Sequence, residues 1–185
     1  MSDAPLAAAA AARKAASSDA MDATRLGHLV IAHGMLVLGI GLLAGLGLVF
    51  SLLDAVELWP LPAWEVSLPG STRGWQAAHV GGITNGIMIA VVALLMRHLD
   101  MQGRAAAWTA WGMIATGWGN TLFYWAGNLS QNRGLSVGAT PYGAGDVAGA
   151  LAYLGGGGAM VFTFVATALV GQAAWRRYRE GPASP

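Results

Sequence analysis

Read for its pattern of apolar and polar positions, the chain divides into four long blocks free of formal charge, separated by short polar stretches. The blocks cover residues 29–53, 75–96, 105–127 and 147–175. Each exceeds the ~20 apolar residues that a helix needs to cross a hydrocarbon core. None shows the strict alternation of a half-buried strand. The pattern predicts four membrane-spanning helices joined by a long loop at 54–74, a tight turn near 97–104 and a second long loop at 128–146.

The prolines of Trp59-Pro60-Leu61-Pro62 and Leu68-Pro69-Gly70 exclude a continuous helix through the first loop. Its tryptophans suit a membrane interface. Asp146, immediately before the fourth block, is placed to cap that helix. Residues 1–24 are alanine-rich with scattered Asp, Lys and Ser. The pair Arg13-Lys14 follows the small-residue run instead of preceding an apolar core, so the stretch does not read as a signal peptide. It is expected to be a disordered or marginally helical cytosolic tail. A transmembrane domain at 25–176 and a short tail at 177–185 follow.

Charge distribution orients the spans. Arg13, Lys14 and Arg25 precede the first, Arg97 and Arg104 flank the turn between the second and third, and Arg176, Arg177 and Arg179 follow the fourth. Only Arg73 and Arg133 fall on the other side, with Asp54, Glu57, Glu65 and Asp146. The positive-inside rule predicts an all-α integral membrane protein with four transmembrane helices and both termini cytoplasmic. Composition agrees. Of 185 residues 55% are hydrophobic and only 10% charged, whereas soluble domains carry about 25% charged residues. A net charge of +1 gives no footprint for nucleic acid. The absence of cysteine excludes disulfides, iron–sulfur clusters, thiolate-ligated haem and a thiol nucleophile.

Candidate chemistry concentrates in GSTRGWQAAHVGGITNG, residues 70–86. At 100° per residue, His79, Gly82, Gly86 and Ala90 fall within about 80° of one another, so a potential metal ligand lies on a face stripped of bulk. Two uses fit that face: close approach of a planar cofactor, or a helix–helix contact through Gly82 and Gly86 with a hydrogen-bonded histidine. A rise of ~1.5 Å per residue puts His79 about 6 Å and Tyr124 about 5 Å below the outer ends of their spans. Asn120, Asn85 and Thr116 follow at about 10, 15 and 16 Å by the same rise. Thr116, Asn120 and Tyr124 share one face of the third span by i, i+4 spacing, with Trp111, Trp118 and Trp125 nearly opposite. That polar face reads either as an inward-facing site or as polar glue between helices.

His33 lies near the cytoplasmic start of the first span and reads as a satisfied polar group. His28 and His98 fall at the cytoplasmic interface. His33 and His79 enter from opposite surfaces and are separated vertically by roughly 15–20 Å, which argues against a bis-histidine haem. If His79 binds haem iron, the opposite axial position stays open for chemistry.

Residues 70–86 together with GWGNTLFYWAGNLSQNRGLSVG, residues 117–138, resemble the membrane-bound styrene oxide isomerases and, more distantly, the hydroxylaminobenzene mutases. The resemblance runs from about Ala32-His33-Gly34 to about Gly149. It implies a four-helix bacterial inner-membrane protein that assembles as a homotrimer and holds haem b between subunits. By the same resemblance His79 matches the axial ligand of a ferric haem, and Asn85 and Tyr124 match residues that hold a small apolar epoxide. Asn120 joins them as a catalytic candidate by position, and Arg133 as a partner for a haem propionate. The styrene oxide isomerases have an aspartate where this chain has Thr116, so Thr116 is expected in the substrate pocket with an altered preference. The expected reaction is Lewis-acid opening of an aryl epoxide followed by a 1,2-hydride shift to the aldehyde, the Meinwald rearrangement. The alternatives are an isomerase acting on arylhydroxylamines and a non-catalytic membrane packing or carrier protein.

Overall fold

The computed structural model describes residues 4–181, with side chains described from Ala23 onward. Its elements in chain order are α1 (Ala4–Leu53), β1 (Ala55–Val56), β2 (Trp64–Glu65), α2 (Thr72–His98), α3 (Gly103–Leu129) and α4 (Val147–Glu180). Each uncharged block lies inside one helix. The 1–24 tail falls mostly on residues without described side chains, and α1 is continuous through it as far back as Ala4. The loop at 54–74 adds what the sequence did not announce, a two-residue antiparallel ribbon pairing Ala55 with Glu65 and Val56 with Trp64.

Local chemistry accounts for the helix ends. Ser71 caps α2, its hydroxyl accepting from the Gly74 N–H at 3.0 Å. Asp146 caps α4 as expected, accepting from the Gly149 N–H at 2.6 Å with one carboxylate oxygen and from the Gln131 N–H at 3.0 Å with the other. These bonds hold the Asp146 carboxyl below the ordinary carboxylate value, with the Gly149 bond the larger cause. Between the caps the second loop wraps the fully buried Asn132. Its amide donates to the carbonyls of Ser136 and Gly138 at 2.8 and 2.7 Å, and its oxygen accepts from the Ser130 hydroxyl and the Gly134 N–H at 2.8 and 3.0 Å.

The helices pack as two pairs, α1 with α2 and α3 with α4, joined mainly through α2 and α3. Small residues make the seams. On α4 the buried positions Ala152, Ala159, Ala166 and Ala173 recur every seven residues. They face α3, where an added Cβ at Gly119 would stand 2.7 Å from the Gly155 carbonyl oxygen. Bulk points the other way: Leu43, Leu52, Val147 and Phe164 are half or more exposed. Small residues inside and large apolar ones outside is the arrangement a lipid solvent permits, because tails are as apolar as leucine and close backbone approach must supply the cohesion.

Among the described residues three helices, over Ala23–Leu53, Thr72–His98 and Val147–Glu180, are long and apolar enough to cross a membrane. The third predicted span, now α3, is a helix of 27 residues, but its mean hydropathy is lowered by Thr109, Thr116, Asn120, Tyr124 and four tryptophans.

Candidate functional site

Helix α2 has two working flanks, and the sequence-predicted residues divide between them. The flank toward α1 is built of glycine. An added Cβ at Gly82 would stand 2.5 Å from the Gly41 Cα, and one at Gly86 would stand 2.7 Å from the Gly34 carbonyl oxygen. The atoms met are α1 backbone and, at Gly86, also the Leu38 Cβ at 2.5 Å, none of them the flexible end of a side chain that could yield. Gly82 and Gly86, expected as the landing face of a planar cofactor, are therefore filled by α1. Of the two readings of that face, the helix–helix contact is the one observed.

The same contact fixes His79. Its Nδ1 lies 2.9 Å from the Gly41 carbonyl oxygen. A carbonyl only accepts, so Nδ1 carries the proton and Nε2 the lone pair. An added Cβ at Gly45 would fall 2.6 Å from Nδ1, so glycine is also needed one turn further along α1 for the ring to lie down. The half-buried imidazole is thus locked in the tautomer that metal-bound histidines use, with a backbone carbonyl behind it.

The flank toward α3 carries the polar residues. Asn120 Nδ2 donates to Asn85 Oδ1 at 2.7 Å, and Asn85 Nδ2 donates to the Gly81 carbonyl at 2.8 Å. One turn further along α3, the Tyr124 ring occupies the space that a Cβ on Gly81 would need, at 2.3 Å. A further turn along, Asn128 Oδ1 accepts from the Ser71 N–H at 2.8 Å, and its side chain fills the space above Gly70 and Gly74. Residues 120, 124 and 128 of α3, at i, i+4, i+8 spacing, thus mesh antiparallel with 85, 81 and 74 of α2. Asn128 was not singled out from the sequence. Its signal was that same spacing extended by one turn.

The two flanks do not meet. His79 and Gly81 are two residues apart, which places their outward directions about 160° from each other around the α2 axis. Within one chain His79 faces α1, while Tyr124 lies against the far side of α2. Asn85, Asn120 and Tyr124 come together as expected, but His79 is not among them.

Thr116 departs further. It is fully buried, and its hydroxyl lies 3.0 Å from the Thr163 hydroxyl and 3.3 Å from the Ala159 carbonyl, both on α4. The face it was expected to share with Asn120 and Tyr124 is divided at a junction of helices: the upper two turns meet α2 and the lower one meets α4. In the structure it is a polar tie between α3 and α4. The tryptophans opposite also have separate duties. Trp125 packs edge-on against Trp75 with ring centroids 5.4 Å apart, and Trp118 Nε1 donates to His33 Nδ1 at 3.0 Å. His33 is the satisfied polar group expected, and that nitrogen is committed.

A cavity of about 570 Å³ opens where α2 begins and α3 ends. Its lining includes Arg73, Tyr124, Asn128, Gln131, Arg133 and Tyr142. The Tyr124 hydroxyl has no hydrogen-bond partner among the described residues and so remains available as a donor. A smaller cavity of about 190 Å³, near His28, Arg97 and Asp100, sits at the other end of the bundle, remote from these residues.

No cluster of three or more metal-ligating His, Asp or Glu side chains occurs among the described residues. A group held by one histidine is what the donor set fits. His79 offers an oriented Nε2, whereas His33 lies eight residues below Gly41 on α1, about 12 Å by helix rise, with its Nδ1 already bonded.

Residues 26–175 match the family model described as styrene oxide isomerase. Among curated proteins the chain is 36% identical over 115 residues to a styrene-oxide isomerase of Pseudomonas fluorescens, an alignment covering 62% of this chain and 68% of that relative.

Proposed function

The chain belongs to the styrene oxide isomerase family and is an isomerase acting on an epoxide, and from that premise we propose that it converts an aryl epoxide to the aldehyde with the help of a haem b bound at His79. The observation that carries the reading is the locked imidazole. The Gly41 carbonyl holds the Nδ1 proton and leaves Nε2 as a single, oriented ligand nitrogen. A ferric haem there supplies a Lewis acid for the epoxide oxygen.

The chain's own residues do the rest. The free Tyr124 hydroxyl donates a hydrogen bond to the substrate oxygen as negative charge builds on it. The Asn85–Asn120 pair, braced on the Gly81 carbonyl, holds a fixed amide dipole beside it. As the C–O bond breaks toward the carbon that best carries positive charge, hydride moves from the neighbouring carbon. The oxygen keeps its electron pair to become the carbonyl, with no net redox change. Apolar walls keep out the water that would trap the cation as a diol.

Because His79 and Tyr124 lie on opposite sides of α2, one chain cannot bring both to one substrate. That separation supports a homo-oligomer, a trimer by family resemblance, in which His79 of one copy works with Tyr124 and Asn85 of another. All four helices span the bilayer in this reading. At 27 residues α3 reaches about 40 Å, ample for a ~30 Å core, and its amides are satisfied within the bundle. Arg25, Arg97, Arg104 and Arg176 gather at the end expected in the cytoplasm, which supports cytoplasmic termini and, in a bacterium, an inner-membrane location.

The test is a visible spectrum of the detergent-purified protein followed by paired assays on styrene oxide and phenylhydroxylamine. A Soret band and an aldehyde that retains deuterium from the migrating position are expected. Turnover of the hydroxylamine alone points to the mutase relatives, and label lost to water points to proton abstraction by a side chain instead of hydride migration. A protein with neither spectrum nor turnover overturns the reading.

A further inference from the structure

The end of the bundle formed by the start of α2, the end of α3 and the two long loops carries only two basic residues, Arg73 and Arg133. They are far apart in sequence, yet both line the cavity of about 570 Å³ above Tyr124. No aspartate or glutamate lines it. Neither guanidinium forms an ion pair among the described residues, where the bonded pair Arg177–Asp100 lies at the other end of the bundle. Asp146, the acid nearest in the second loop, is committed to the backbone N–H groups of Gln131 and Gly149. Arg133 is held in place, its guanidinium 4.3 Å from the Tyr142 ring centroid and its backbone in the left-handed region at φ 60°. Below this cationic mouth the lining turns apolar with Ala77, Phe123 and the Tyr124 ring.

We propose that this cavity binds the carboxylate of a ligand whose apolar body extends down toward Tyr124. Two guanidiniums lining one cavity, with no acid in its lining, are a carboxylate-binding arrangement, since each planar fork matches the two oxygens of the anion. The recess sets the length of the ligand. Arg73 stands eight residues before Gly81, the position Tyr124 packs on, so the anion sits about 12 Å along α2 from that contact. That span fits an aryl body bearing an acid at the end remote from its reacting oxygen. It also fits the carboxylates of the haem invoked above, and this inference rests on that reading where substrate or haem is concerned.

The experiment uses the full chain in detergent and the double variant Arg73→Gln/Arg133→Gln, with Arg73→Lys/Arg133→Lys to restore charge and Arg179→Gln as a remote control. Two quantities are measured: haem content per chain, and binding of 4-phenylbutyrate relative to the neutral 4-phenylbutanol by calorimetry. Both arginines are solvent-facing, so the variants are expected to keep the wild-type melting temperature. Loss of an at least tenfold preference for the acid, with haem content unchanged, assigns the carboxylate to substrate. The KM for 4-carboxystyrene oxide then rises at least tenfold, while that for styrene oxide does not move. Loss of haem content that the lysine pair restores assigns the carboxylate to the cofactor. A double variant with wild-type haem content and the same acid-to-alcohol ratio as the wild type overturns the proposal. Failure of the wild type to turn over styrene oxide refutes the isomerase reading alone, because the phenylbutyrate comparison needs no turnover.

Discussion

The Nδ1 nitrogen of His79 lies 2.9 Å from the carbonyl oxygen of Gly41 on the neighbouring helix. A polar side chain inside an apolar bundle must find a partner. Here the partner is a backbone carbonyl already bonded within its own helix, with one lone pair still to offer. The geometry therefore settles which imidazole nitrogen remains basic, and four consequences of the wider arrangement can be measured.

His79→Ala is expected to abolish the Soret band of the purified protein while the chain still accumulates in membranes. His33→Ala should keep the band, because His33 Nδ1 is already taken by Trp118. An absorption spectrum of each variant, normalised to protein, decides it. The reverse pattern would mean that the wrong histidine has been assigned.

Tyr124→Phe should lower kcat on an aryl epoxide by about 10²-fold, the scale for removing one aimed donor. Its melting temperature should stay put, since the hydroxyl has no internal partner to lose. Gly81→Ala should damage both, because the new methyl would stand 2.3 Å from the ring. A Tyr124→Phe enzyme of wild-type rate would remove the hydroxyl from the mechanism.

Gly82→Val forces its Cβ to within 2.5 Å of the Gly41 Cα, where no side chain can move aside. The α1–α2 seam must open, at a cost of about 1–3 kcal/mol for overpacking, and the His79 contact to Gly41 should loosen with it. Gly157→Ala meets nothing within 4 Å and serves as the neutral control. Thermal unfolding in detergent compares the two, and equal melting temperatures would contradict the seam.

Asp146 makes a pH-dependent contribution. Its carboxyl is held below the ordinary carboxylate value by the Gly149 N–H first and the Gln131 N–H second. A depressed folded-state pKa means stability that is present in full above the unfolded carboxylate value and is lost as pH falls through the folded one. Asp146→Ala should therefore melt lower than the wild type near neutral pH, and the gap should close on acidification below the usual carboxylate range. A gap that stays constant down to strongly acid pH would show that the ionised cap is not its source.

Much of this architecture was legible without coordinates. Four uncharged blocks could only be buried along their whole length, so four long helices followed, and their charged flanks marked the ends. The Asp146 cap is a local consequence of spacing, and so is the shared face of Asn120 and Tyr124, whereas the partners of His33 and Asn120 lie 85 and 35 residues away along the chain. A period of 3.6 says which residues share a face, but it carries no information about what covers that face. Gly82 and Gly86 were bare for a neighbour's sake, and only the packed bundle showed that the neighbour is α1. Thr116 shares a face with Asn120 by arithmetic yet belongs to α4, because a helix at a junction divides one face between two partners. That Arg73 and Arg133 line one cavity is likewise tertiary, as the loop after α3 must fold over the start of α2 before the two side chains can share it. The separation of His79 from Tyr124 across α2 combines both levels: the angle is written in the residue numbers, and its meaning came with the helices on either side.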